Sequence, residues 1–379
     1  MQQKNNIKIV FLLCLFLFVK NNCFGQNEKQ IDSVIKVTSI EMYVNPDKVI
    51  KVGKEIVSKS NNVNTKIKGY KLISDGYSSK RDYQKSLEYV IKASNLISQS
   101  DNKLLKILIT NKVGIQYHQL KIYDKSIQYL DEAEKLCIEY PQKDSVRLQL
   151  GTNYIVRGFI YKEKLNCDIA IAFFDKGINE IKQSKDEALK SGKLSIAKYN
   201  KGNCYILLSE YIAAIKSFEE AIVDAKKTNA LSLQAFALKG LAQVYTLEGK
   251  YNEAIKFLEA AEVISADVND LVLNQEIYKG LSENYLAIND MDKYKISQIK
   301  YIKTQQRLKE SERKSISDLI FEKEKEINTK IENDNPNYYM GFIILLCLFG
   351  IVLFLFYYKK TKLAIEKLNL DIKLLQNES

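Results

Sequence analysis

His118 is the only histidine in the 379 residues. With no second imidazole, a His-based metal site or a familiar catalytic triad has no second half, so His118 reads as a groove or packing residue. The cysteines divide by place: Cys14 and Cys23 lie near the N-terminus, Cys347 in an apolar run, and Cys137, Cys167 and Cys204 in between. That last trio is odd in number and widely spaced, which argues for small buried hydrophobes over a disulfide framework. No Gly-rich phosphate loop follows a strand pattern. The residues therefore suggest no enzyme, no catalytic group, no metal and no cofactor.

What could do work is a set of polar and aromatic side chains that recur at fixed intervals. The stretch LKGLAQVYTLEGKYNEAIKFLEAA, Leu238 to Ala261, defines the interval. Leu238, Leu241, Ala242 and Tyr245 share one helical face, Gly249 and Lys250 break the pattern, and Tyr251, Ala254, Leu258 and Ala261 form a second face. Small residues allow close backbone approach, and the larger ones fill the space between. A lone hairpin of this kind cannot bury its apolar face.

The pattern recurs every 40 to 44 residues. Gly202, Tyr205, Tyr211, Ala214, Phe218 and Ala221 match it, as do Gly158, Tyr161, Ala170, Phe174 and Gly177. Gly114, Tyr117, Tyr123, Ser126, Leu130 and Ala133 give another copy, and Ser74, Tyr77, Tyr83, Ser86, Val90 and Ala93 a looser one. Leu281, Ser282 and Tyr285 start a further copy that departs at Tyr294 and Gln298. This order of residues resembles the tetratricopeptide repeat (TPR), whose unit is roughly 34 residues; here the surplus falls in polar stretches after the second helix. The expected fold is all-α: a TPR-like helical-hairpin solenoid of about six repeats over residues 61–303.

Each first helix is expected to line a concave groove. Residues beside the small position point into it: Lys71 and Asp75, Asn111 and His118, Ile155 and Phe159, Tyr199 and Asn203, Lys239 and Gln243, Lys279 and Glu283. The functional expectation is a surface for a protein or peptide partner; the alternative is an ordinary solvated face. Asp75 and Glu283 beside Lys71 and Lys279 would repel an acidic C-terminus, against a two-carboxylate clamp.

Net charge is +11, with both signs interspersed and no aromatic-studded basic patch, so this segment is not expected to bind nucleic acid itself. Three prolines fit a nearly all-helical chain. Residues 1–25 read as a signal peptide: Lys4 and Lys8 precede an apolar core from Ile9 to Val19. Residues 26–60 read as a degenerate capping helix pair, with Asn45 an N-cap before Pro46.

Residues 304–336 form a charged helical stalk, with a sparse stripe at Ile316, Ile320, Ile327 and Ile331 and Pro336 expected to end it. From Met340 to Phe356 no charged or amide side chain occurs, and paired tyrosines bracket the run, so 338–358 reads as a transmembrane helix. Lys359, Lys360 and Lys362 follow, placing the C-terminal side in the cytoplasm and the repeats in the periplasm. Residues 359–379 read as a cytoplasmic coiled-coil stub, with Ile365, Leu368, Ile372 and Leu375 as a seam; stalk and coil together allow a homodimer.

This order of an exported repeat array, RLKESERKSISDLIFEKEKEI, one membrane helix and FYYKKTK resembles membrane-bound regulators of Bacteroidetes-type bacteria. In those, a cytoplasmic coil leads to an AraC-type helix-turn-helix or a histidine-kinase output. No recognition helix or kinase motif follows Lys360, so neither activity is carried onto any residue here. The resemblance implies the sensor or interaction half of a transmembrane signalling or transcription regulator in the inner membrane. The alternative is a purely structural envelope scaffold for protein complex assembly.

Overall fold

A computed structural model describes residues 30–39, 42, 45–185, 187–266, 268 and 270–377, with the side chains of 187–188, 311–339 and 370–377 outside the described set. The expected signal peptide, the stalk stripe, and the seam residues Ile372 and Leu375 therefore lie outside the described residues. The chain divides into two units, residues 1–302 and 303–379.

The first unit is built from helical hairpins, with no strand among the described residues. Helix α1, residues 30–39, and α2, Pro46–Lys59, form the N-terminal pair. Asn45 Oδ1 accepts from the Lys48 backbone N–H at 3.1 Å, and Pro46 occupies the first turn, where its missing N–H costs nothing. Ile31 and Ile35 of α1 pack against Val49, Ile56 and Leu72, covering the flank of the first repeat.

Six repeats follow. They are α3 (Val63–Ser79) with α4 (Tyr83–Asn95), α5 (Lys103–Gln119) with α6 (Tyr123–Glu139), and α7 (Lys143–Glu163) with α8 (Cys167–Lys182). Then come α9 (Glu187–Leu207) with α10 (Tyr211–Lys227), α11 (Leu231–Leu247) with α12 (Tyr251–Ser265), and α13 (Leu271–Ala287) with the start of α14 (Met291–Asn377).

Every hairpin turns through one left-handed residue: Arg81, Lys121, Leu165, Ser209, Gly249 and Asn289, with φ between 58° and 74°. At each turn the repeat tyrosine's carbonyl accepts from the N–H five residues on, as in Asn166 to Tyr161 at 2.9 Å and Lys250 to Tyr245 at 2.9 Å. These bonds satisfy carbonyls that a helix end would otherwise leave orphaned. Only Gly249 takes that conformation without steric cost.

Packing follows the small–large alternation. Phe218 is fully buried between two repeats. A Cβ added at Gly202 would lie 2.6 Å from its ring, and one at Gly240, in the next repeat, 2.5 Å. Phe174 fills the same position against Gly158, and Leu130 against Gly114. Where the second-helix small residue is serine, a hydrogen bond accompanies the contact: Ser126 Oγ donates to the Gly114 carbonyl at 2.8 Å, and Ser86 Oγ to the Ser74 carbonyl at 2.7 Å. The departure in the last repeat has the same logic, since Ser282 Oγ donates to Gln298 Oε1 at 2.7 Å in place of an apolar contact.

A second aromatic layer, absent from the pattern read above, lies twelve residues beyond the repeat tyrosine. Tyr77 stacks on Tyr89 and Tyr117 on Tyr129, each with ring centroids 5.5 Å apart. Tyr161 stacks on Phe173 and Tyr245 on Phe257, each at 5.3 Å.

In the second unit, α14 stays helical through Pro336, so the expectation that Pro336 ends the stalk is corrected. A proline forfeits one i→i−4 bond, and bias against helix at its predecessor is a preference that neighbouring turns can override. The helix from Met340 to Asn369 is long and apolar enough to cross a membrane.

Two outcomes follow for thermal unfolding. Gly240→Ala drives a methyl into the Phe218 ring and lowers stability by ~1–3 kcal/mol. Leu165→Gly removes a left-handed penalty at an exposed turn, and raises stability by about 0.5–1 kcal/mol after the entropic cost of glycine. A neutral Gly240→Ala would mean that the ring has room to yield.

Candidate functional site

Polar contacts join α3 to α5, α5 to α7, α7 to α9 and α11 to α13. Asp75 of α3 binds Lys71 of its own helix and Lys112 of α5, both at 2.6 Å. Burial favours the neutral acid, but the two ammonium groups outweigh it and hold the Asp75 carboxyl at about 2. Asn111 of α5 donates to the Gln149 carbonyl of α7 at 3.0 Å and accepts from Asn153 at 3.2 Å. Lys162 of α7 donates to Asn200 Oδ1 of α9 at 2.5 Å. Farther along, Lys239 lies 3.9 Å from Glu276, and Thr246 donates to Asn284 Oδ1 at 3.0 Å, joining α11 to α13.

These contacts divide the groove residues expected from sequence. Asn111, His118 and Ile155 are buried, used up in the contacts between helices. Lys71 is engaged with Asp75, and Phe159 is half-buried against the cores around Phe174 and Leu130. Tyr199 is half-buried, its ring 5.8 Å from Phe218 and 5.7 Å from Phe236, with the Lys239 ammonium 6.0 Å from its centroid. Asn203 is half-buried, and Gln243, Lys279 and Glu283 are exposed. The side chains free to meet a partner thus gather on α9, α11 and α13. Lys279 and Glu283 lie 3.8 Å apart along α13, a surface pair of small energetic weight.

Sequence reasoning missed Lys112. Lys112 follows Asn111 directly, one step off the template position.

The three cysteines are buried and free, as small hydrophobes. Burial pushes the Cys137 thiol up to about 12. Cys204 is raised chiefly by burial and further by a hydrogen bond with the Cys167 thiol, both within one apolar cluster. Thiols this far from ionisation are poor nucleophiles.

His118 packs across a repeat boundary, 5.8 Å from the Phe159 ring and 6.4 Å from the Tyr123 ring. Its Nε2 lies 3.4 Å from Glu163 Oε1, a distance without hydrogen-bond geometry, and the other Glu163 oxygen accepts from Tyr123 Oη at 2.5 Å. Burial lowers the His118 pKa, against the opposing pull of Glu163. The imidazole is therefore a neutral spacer at pH 7.

Residues 194–264 match the family model of the tetratricopeptide repeat. The fold is that of TPR solenoids. A signal transduction ATPase with numerous domains from Pyrococcus horikoshii, with a tetratricopeptide repeat sensor, superposes with a TM-score of 0.57 at 15% identity, over 73% of this chain and 41% of that one. Aspartyl phosphate phosphatase F from Bacillus subtilis gives 0.48 at 16% identity, covering 64% and 71%. A Rap protein complexed with Competence and Sporulation Factor gives 0.47 at 14%, covering 74% and 88%. No curated protein sequence matches the chain.

The His118 environment has a pH consequence. A histidine with a depressed folded pKa binds fewer protons folded than unfolded, so stability is full above pH 6.5, its ordinary value, and falls as pH drops toward the folded pKa. Thermal unfolding at pH 7.5 and 5.5 should show that loss, and His118→Phe should shrink it. An unchanged pH slope in the variant would assign the loss to other groups.

Proposed function

We propose that this chain is a single-pass inner-membrane protein whose periplasmic repeats bind a protein or peptide partner without catalysis. In this reading it is the sensor or interaction half of a transmembrane regulator. The observation that carries the reading is the division of the concave wall. The expected groove residues of α3, α5 and α7 are buried or engaged between helices, whereas α11 and α13 expose Gln243, Lys279 and Glu283. Mixed polar groups with an aromatic floor at Tyr199 suit an extended or helical peptide.

The apolar helix Met340–Asn369 supports anchoring, and Lys359, Lys360 and Lys362 beyond its apolar stretch favour a cytoplasmic C-terminus. Ile365 and Leu368 are exposed, which leaves a short seam for a second copy. The Pyrococcus protein named above carries a tetratricopeptide repeat sensor by its own description, and a sensing role for these repeats is in keeping with that.

Two measurements test the proposal in cells. Single cysteines introduced at Lys279 and near Asn369 should be labelled by an impermeant maleimide from outside and inside respectively. A photo-crosslinking residue at Gln243 or Glu283 should trap one discrete partner, which the same residue at Ile212, on α10, should not trap. Equal trapping from both positions, or reversed labelling, would sink the reading.

A further inference from the structure

The last hairpin departs from the other repeats on its outer face. Counting from the left-handed residue of each turn, Ile299 of α14 stands where the four preceding second helices carry Asp131, Asp175, Glu219 and Glu259. Three of these acids reach the first helix of the next hairpin. Asp131 pairs with Arg157 and Asp175 with Lys201, each at 2.6 Å, and Glu259 accepts from Tyr285 Oη at 2.7 Å. The position therefore marks the face on which a following hairpin docks. Ile296, three residues earlier, replaces Gln128, Ala172, Lys216 and Lys256, all of them exposed.

Among the described residues no first helix packs on this face of α14. Ile296, Ile299 and Ile302 form one stripe and are 55%, 65% and 44% exposed. An end repeat ordinarily closes a solenoid with a polar outer face, because an apolar one draws in another surface. Here the change runs the other way, from acid and lysine to isoleucine.

Three isoleucines a side fall short of the roughly 1,200 Å² that a stable interface buries, so the stripe needs a longer seam. The sequence of α14 supplies one. Ile320 and Ile327 follow Ile299 by three and four heptads, and Ile316 and Ile365 follow Ile302 by two and nine. A repeat of seven along one helix is matched, residue for residue, by the same helix in parallel. Gln306, Lys309 and Arg313 interrupt the register, which makes the pairing reversible.

We propose that the open face of the last hairpin is a docking surface for a second copy of this chain, with Ile299 and Ile302 against their counterparts. The inference rests on the proposed single membrane span, which orients two copies alike. It adds a dimer contact within the repeat array itself, on a helix that takes no part in the concave wall.

The test places single cysteines in the full chain in membranes, with Cys347→Ala removing the exposed thiol. Ile299→Cys and Ile302→Cys are expected to form disulfide-linked dimers on mild oxidation. Lys256→Cys, on the solvent face of α12, is expected to form none. In detergent micelles Ile299→Glu, which restores the acid of the earlier hairpins, should weaken dimerisation about tenfold by sedimentation, with helix content unchanged. Equal crosslinking from positions 256 and 299, or a dimer indifferent to Ile299→Glu, would overturn the interface. So would a linked Ile365→Cys dimer without one at Ile299→Cys, since the copies would then meet only in the coil. A product of Ile299→Cys with a different protein, and no dimer, would overturn the second copy as occupant. If Gln243 traps no partner while Ile299→Cys dimerises, the functional reading falls and the interface stands; the reverse result removes the interface alone.

Discussion

Close approach of helix backbones, made possible by small residues opposite large ones, is the constraint on which this structure depends. Phe218 makes the point most sharply. Its ring sits where Cβ atoms at Gly202 and Gly240 would collide with it, so one side chain joins its own hairpin to the next. Each hairpin is amphipathic and unstable alone; its apolar face is complete only when the neighbouring repeat supplies the opposite wall. Stability, and the path of the concave wall, are therefore set interface by interface.

The same logic governs where polarity is tolerated. Buried serines at the small positions donate to carbonyls of the facing helix, so close approach is kept without orphaning a hydroxyl. Buried charges occur in pairs or triads that cross between helices, such as Asp75 with Lys71 and Lys112, or Asp224 with Lys198 and Lys227. Such groups do more to fix register than to add net stability, because desolvation offsets much of the Coulomb gain.

The transition from scaffold to site is gradual. Asn111, His118 and Ile155 occupy template positions that would be groove-facing in an evenly spaced array, yet they are consumed in helix-to-helix contacts. Lys279, which in the last repeat stands where Asn111 and Ile155 stand in theirs, remains exposed, as do Gln243 and Glu283, one residue after the small position.

Sequence alone determined the helical-hairpin repeats, the small–large alternation and the apolar C-terminal helix. All of these are carried by local periodicity, and a period of 3.6 residues interrupted at fixed intervals leaves few folds to choose from. The left-handed residues at the turns were only partly legible, because Leu165 or Lys121 adopts that conformation under the compulsion of its hairpin, not by propensity. The stacked aromatics at Tyr89, Tyr129, Phe173 and Phe257 were readable in principle, twelve residues after each repeat tyrosine. Which groove residues are buried, and that Lys71 and Lys112 share Asp75, was decided by tertiary structure alone. These contacts form between helices of different repeats, and no local pattern encodes how one repeat's first helix meets the next.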